Sequence, residues 1–213
     1  MKNKRIYLVR HGQSLDDDSL VFQSFDSGLS PLGKSQVKKI AKELGNVEID
    51  CIISSPVQRA KESAEIIKNK INVDIEYSGL FIESYRPKSV DGKHRNDEKA
   101  RATQKDWKKT LYTTDDSRVE GAENYNDVVA RAKRALEYLE KRSESNIVVV
   151  THGFFIRTII AYAMFGDGLM PDILKTFQNY TQISNASVCA IDRVVYKDSP
   201  MWYLRTMNYN THS

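Results

Sequence analysis

The chain has 213 residues, 32 of them basic and 28 acidic, for a formal charge of +4; that length buries a sizeable core as a single domain over residues 1–213. A charge this small, mixed in sign throughout, favours anionic small molecules weakly and sets nucleic acid aside as a partner. No apolar stretch is long enough to cross a bilayer or serve as a signal peptide, and the two cysteines, Cys51 and Cys189, read as buried reduced thiols that leave a zinc site short of ligands, so a cytoplasmic protein without membrane partners is expected.

The first element is the apolar run Ile6-Tyr7-Leu8-Val9, which empties into Arg10-His11-Gly12-Gln13-Ser14. Runs of this kind read as parallel strands covered on both faces, and ligands in such sheets collect beyond the strands' carboxyl ends. Glycine after the histidine lets the backbone turn sharply into a following helix and lets a ligand approach. Leu29-Ser30-Pro31-Leu32-Gly33 then offers Ser30 as an N-cap and Pro31 at the first helical position, with Val37, Ile40, Ala41 and Leu44 at helical spacing before Gly45. Cys51-Ile52-Ile53 reads as a second strand. Ser54-Ser55-Pro56 reads as another cap-and-proline start, for a helix carrying Ala60, Ala64 and Ile67 with Arg59 in its first turn. Asp74–Tyr77 reads as a short edge strand.

Residues 84–120 break this rhythm, being polar, charged in both signs and only loosely periodic around Trp107, Leu111 and Tyr112. They read as an inserted helical cap over the sheet edge, for which a substrate-facing lid and a solvated excursion both fit. After Gly121, the series Val128, Ala132, Ala135, Leu136 and Leu139 marks a long amphipathic helix. Ile147-Val148-Val149-Val150 follows and empties into Thr151-His152-Gly153-Phe154, nearly repeating the first motif. Ser187–Ile191 and Trp202–Met207 read as two closing strands. The alternation of strand and helix signals is that of an α/β layer fold.

Two buried strands that each end in His-Gly point to one site. An imidazole whose second nitrogen is held by a hydrogen bond attacks phosphorus if it stays neutral. Arg10, Arg59 and His152 around His11 oppose its protonation and neutralise an incoming phosphate, whose oxygens guanidinium groups match in bidentate fashion. The helix opening at Pro56 adds free N–H groups. Residues 10–14, 54–59 and 152–153 thus make a phosphate pocket, with Gln13, Ser14 and Gly153 among its binding residues. The proton donor for the leaving alkoxide is assigned to Glu83, just after Phe81-Ile82 at the junction of core and cap, where a carboxyl facing a dianion in a partly dry cleft keeps its proton to near neutrality. Asp16-Asp17-Asp18 are expected to point outward, the alternative being that they favour a cationic group on the substrate.

These residues resemble the histidine phosphatase superfamily, also called the phosphoglycerate mutase-like family, over nearly the whole length. The resemblance rests on Arg-His-Gly at 10–12, LSPLG at 29–33, SSPVQRAKESA at 54–64, GAENYNDVVAR at 121–131 and Thr-His-Gly at 151–153 followed by Arg157. It implies a three-layer α/β/α sandwich with a mostly parallel central sheet and an inserted cap at about 84–120. It also implies that His11 is phosphorylated, that Arg10, Arg59 and His152 bind the transferring group, that Glu83 is acid and base, and that neither a metal nor an organic cofactor takes part.

Departures narrow the expectation. Mutases of the family carry an ERHYG-like segment where Glu83 here opens Glu-Ser-Tyr-Arg-Pro-Lys, and Asn where this chain has Phe154; Asn124 stands in place of a Ser and caps a helix equally well. Phosphomonoester hydrolysis through a phosphohistidine is therefore the leading reading, a mutase-type phosphotransferase the second, and a silent phosphate-binding regulator the third. The expected partners are a small phosphorylated substrate, selected by cap residues such as Tyr85, Arg86, Lys88, His94 and Arg95, and inorganic phosphate. Oligomeric state is not legible.

Overall fold

Side chains alternate along the central strands, and that alternation divides the interior into two layers of packing. The computed structural model describes residues 3–17, 19–196 and 199–210. Among them six strands form one sheet: β1 (Lys4–Arg10), β2 (Cys51–Ser54), β3 (Ile75–Tyr77), β4 (Asn146–Thr151), β5 (Val188–Tyr196) and β6 (Ser199–Tyr209). Their order is β3-β2-β4-β1-β5-β6. The first four run parallel, β5 pairs antiparallel with β1, and β6 pairs antiparallel with β5, so the sheet is mixed and mostly parallel.

Val9, Ile52, Val148 and Val150 face α1 (Pro31–Leu44) and α2 (Gln58–Ile71), meeting Val37, Ile40, Ala60, Ala64 and Ile67. Ile6, Leu8, Ile53, Ile147 and Val149 face the other way, onto Val128, Ala132 and Ala135 of α4 (Tyr125–Lys141) and Phe155, Ile156 and Ile159 of α5 (Gly153–Phe165). The result is the expected three-layer sandwich. Each layer buries aliphatic side chains completely, at roughly 1.5–3 kcal/mol per side chain. Ser30 caps α1 through Gly33 N at 3.0 Å with Pro31 opening the helix, and Asn124 forms a reciprocal capping box with Asp127 on α4, as the sequence predicts.

The segment 84–120 carries α3 (Glu98–Thr110); its Trp107, and Leu111 just after its end, are buried in the core shared with α4 and α5. Trp107 Nε1 donates to Glu123 O at 2.8 Å. The segment is therefore docked on the sandwich, and its N-terminal part is laced to the loop after β1 by Phe22 N to Lys93 O, Gly92 N to Phe22 O and Arg95 N to Leu20 O.

Three expectations need correction. No helix follows Gly12; the chain loops to Pro31 before α1 begins. Gly12 is small for a different reason, since a Cβ there would lie 2.5 Å from Gly33 O, and one on Gly33 would lie 2.0 Å from Gln13 O. The two glycines thus let the loop lie directly on the start of α1. Helix α2 starts at Gln58 with Val57 as its N-cap and no side-chain cap bond; Ser55 Oγ accepts from Val57 N at 3.3 Å and also meets His152 Nε2 at 2.9 Å. Cys51 is half-buried while Cys189 is fully buried; burial pushes both thiols up to about 11. A further helix, α6 (Pro171–Tyr180), lies between α5 and β5. Among the described residues, no helix is long and apolar enough to cross a membrane.

Candidate active site

The sheet register puts the chemistry in one place. Arg10 pairs with Thr151 across β1 and β4, and Ser54 with Val150 across β2 and β4, so His11, Ser55 and His152 all leave the sheet at the same carboxyl edge. The two imidazoles meet edge to face, centroids 5.0 Å apart and planes at 63°. Both are completely buried.

His11 Nδ1 lies 2.7 Å from Gly12 O, and Arg59 Nε donates to His11 Nε2 at 3.2 Å. A carbonyl only accepts and a guanidinium only donates, so the partners themselves assign the tautomer: Nδ1 carries the hydrogen and Nε2 the lone pair. The ring is held neutral as well. Burial drives its pKa well below the usual histidine range, and the charges of Arg59 and then Arg10 push the same way. His152 shifts likewise, through burial first and then Arg59, His11, Arg86 and Arg10. Its Nε2 lies 2.9 Å from Ser55 Oγ.

The remaining residues are placed by local packing. Arg10 Nη1 donates to Ile183 O at 2.6 Å, and its guanidinium crosses Gly153, where a Cβ would stand 3.3 Å from Nε. Arg59 Nη1 donates to Ser24 O at 2.9 Å. Glu83 Oε2 stands 3.6 Å from His152 Nδ1, while its Oε1 accepts from Phe154 N, in the first turn of α5, at 2.7 Å. The sequence thus brings His11, Arg10, Arg59, Glu83, His152 and Gly153 together. Gln13 Oε1 accepts from Ser30 Oγ at 2.7 Å. Ser14 is fully buried and its hydroxyl accepts from Gln23 Nε2 at 3.0 Å. Both shape the loop that carries His11.

Asp16 and Asp17 do not point outward. Both are half-buried; Asp16 Oδ2 accepts from Ser24 N and Asp17 Oδ2 from Ser14 N, each at 2.8 Å. Their charges, with that of Glu83, oppose the lowering that burial imposes on Arg59. These acids hold the loop closed and offset part of the positive charge. Asp18 lies outside the described residues.

Two contributors were not assigned their roles from the sequence. Arg86, read as a selecting residue of the cap, adds its charge to His152 and Arg59. Glu123 and Arg131 form a buried bidentate pair at 2.6 and 2.8 Å, and Arg131 also donates to Leu80 O, Ile82 O and Glu83 O, while Glu123 Oε2 accepts from Tyr85 N. This pair fixes the backbone on either side of Glu83. Its signal was present, because Arg131 falls within the apolar stripe of Val128, Ala132 and Ala135.

His11, Glu83 and His152 also offer one donor atom each within 4.8 Å of one another. The guanidiniums acting on these histidines make the spot favourable to an anion and hostile to a metal cation.

A family model described as histidine phosphatase superfamily (branch 1) matches residues 6–208. The chain belongs to the histidine phosphatase superfamily. Within it, a probable phosphatase of Schizosaccharomyces pombe is 32% identical over 96% of this chain and 69% of its own length. A probable phosphoglycerate mutase of Erwinia tasmaniensis is 23% identical over 98% of this chain and 94% of its own. A mycobacterial glucosyl-3-phosphoglycerate phosphatase, solved in complexes with VO3 and with inorganic phosphate, has TM-scores of 0.76 and 0.75. Those two structures are 21% and 20% identical and cover 96% and 97% of this chain and 99% and 98% of theirs. At that identity the likeness is one of fold.

Proposed function

We propose that this histidine phosphatase superfamily member hydrolyses phosphate monoesters through a phosphohistidine on His11. The observation that carries this reading is the lone pair on His11 Nε2, fixed by Gly12 O on one side of the ring and Arg59 Nε on the other. A neutral, oriented imidazole surrounded by guanidiniums is a nucleophile for an anionic electrophile.

In this reading the phosphoryl oxygens take over the N–H donors of Arg59 and are further neutralised by Arg10 and Arg86, with His152 beside them and Gly153 leaving Arg10 room to reach. Gln13 and Ser14 act in binding by holding the loop against α1. Nε2 attacks phosphorus in line as the P–O bond to the alcohol breaks, and the leaving alkoxide takes a proton from Glu83. The Glu83 carboxylate then takes a proton from water as that water attacks phosphorus in line and the P–N bond to Nε2 breaks, which releases inorganic phosphate and restores both the lone pair and the acid. The docked segment 84–120 is the cap that closes this cleft.

The test is release of inorganic phosphate from a panel of phosphorylated metabolites and from an aryl phosphate, beside formation of the isomeric product from phosphoglycerate. Hydrolysis without isomerisation is expected. Isomerisation faster than hydrolysis would assign the same phosphohistidine to a mutase, as the name of the Erwinia relative suggests. Turnover of neither would leave a phosphate-binding regulator.

A further inference from the structure

The cap wall of the catalytic cleft continues outward into a second hollow. The inner cavity, about 320 Å³, includes Glu83, Arg86, Gln104, Lys108, Phe154 and Arg157 in its lining. The outer one, about 630 Å³, runs past Arg95, Arg101, Gln104, Lys105 and Lys108. Gln104 and Lys108 border both. Positions 101, 104, 105 and 108 share one face of α3, and burial of Trp107 and Leu111 fixes which way that face looks.

Charge on this face is strongly unbalanced. Asp106 is occupied on another face by Lys109 at 2.8 Å, and Glu98 is the acid of the outer lining. Among the described residues, Arg86, Arg95, Arg101, Lys105 and Lys108 form no ion pair within 4.0 Å. Arg86 Nε and Gln104 Oε1 are buried without hydrogen-bond partners, both on residues of the inner cavity. Like charges one turn apart disfavour a helix, and unpaired buried polar atoms are costly. A ligand carrying negative charge along the groove would offset both.

We propose that the substrate bears, besides the scissile phosphate, at least one further phosphate group that lies along Arg101, Lys105 and Lys108. The scissile end of this proposal rests on the hydrolase reading above. Lysines supply mobile point charges rather than a fixed fork, which suits a second phosphate whose distance from the first varies with the carbon skeleton. Because these side chains are exposed, their attraction is screened by salt.

The experiment compares kcat/KM for a hexose monophosphate and the matching bisphosphate, in the wild type and in Arg101→Gln/Lys105→Gln/Lys108→Gln. At low salt the wild type favours the bisphosphate about tenfold, the 1.4 kcal/mol that two or three exposed ion pairs supply, chiefly through KM. The preference disappears in the triple variant and at about 0.5 M salt, and Lys105→Arg/Lys108→Arg keeps it. An equal preference in wild type and triple variant, or none in the wild type, overturns the proposal even if aryl phosphate is hydrolysed. If no phosphate ester is turned over, the hydrolase reading fails alone. Calorimetry with tripolyphosphate then decides the groove: about tenfold tighter binding to wild type than to the triple variant supports it, and equal or absent binding overturns it.

Discussion

Arg59 Nε donates to His11 Nε2 across 3.2 Å, so a cation sits on the atom proposed to attack phosphorus. The contact keeps the lone pair unprotonated and aimed until a phosphate oxygen competes for the same N–H. Arg59→Lys keeps the charge but loses the fork that serves His11 and Ser24 O together. The expected loss in kcat on an aryl phosphate is about 10²–10³-fold, the scale of removing one pre-oriented donor to a developing oxyanion, with the melting temperature little changed. Steady-state kinetics beside a thermal melt check it.

Glu83 stands at His152 and at the first turn of α5. Glu83→Gln keeps the size and loses the titratable proton. Alkyl phosphates should slow by about 10²–10⁴-fold, while esters of acidic phenols, whose leaving group needs no proton, should change far less. Equal losses for both would remove Glu83 from the acid role.

The Glu123–Arg131 pair acts on the backbone at Leu80, Ile82, Glu83 and Tyr85. Removing one partner strands a buried charge, at about 3–5 kcal/mol. Arg131→Met and Glu123→Met should each lower stability by that order in urea unfolding, and Glu123→Met/Arg131→Met should be less damaging than their sum. Additive losses would show that the pair does not act as a unit.

Folding stability should fall as pH drops below the usual histidine value of 6.5. His11 and His152 both have lowered values in the folded protein, so below 6.5 the unfolded chain binds protons that the native one refuses, and each proton costs about 1.4 kcal/mol per pH unit. Urea midpoints between about pH 7.5 and 5 should show this slope, and His152→Asn should reduce it. A flat profile would mean that the imidazoles take up protons in place.

Much of this was legible in the chain. Strand ends at His11 and His152, the Ser30-Pro31 start, the position of Arg59 in α2 and the Asn124 cap follow from local patterns whose causes are local: apolar runs, capping hydroxyls and the fixed φ of proline. The roles of Asp16, Asp17 and Ser55 were not legible, because short polar side chains bond equally well to solvent, to their own turn or to a distant histidine, and only the sheet register decides. Helix α6 was missed since Leu174 and Gln178 are its only fully buried residues, too thin a stripe for a periodic signal. Arg131 was visible as a charge in an apolar stripe, but its partner, Glu123, lies outside the helix that it serves.

The central claim is that His11 carries the phosphoryl group. Brief incubation with a 32P-labelled phosphate ester, alkaline quench and peptide mapping should find acid-labile, base-stable phosphate on His11 in the wild type, more of it in Glu83→Gln with an aryl ester, and none in His11→Ala. Label on another residue, or His11→Ala turning over as fast as the parent, would contradict it.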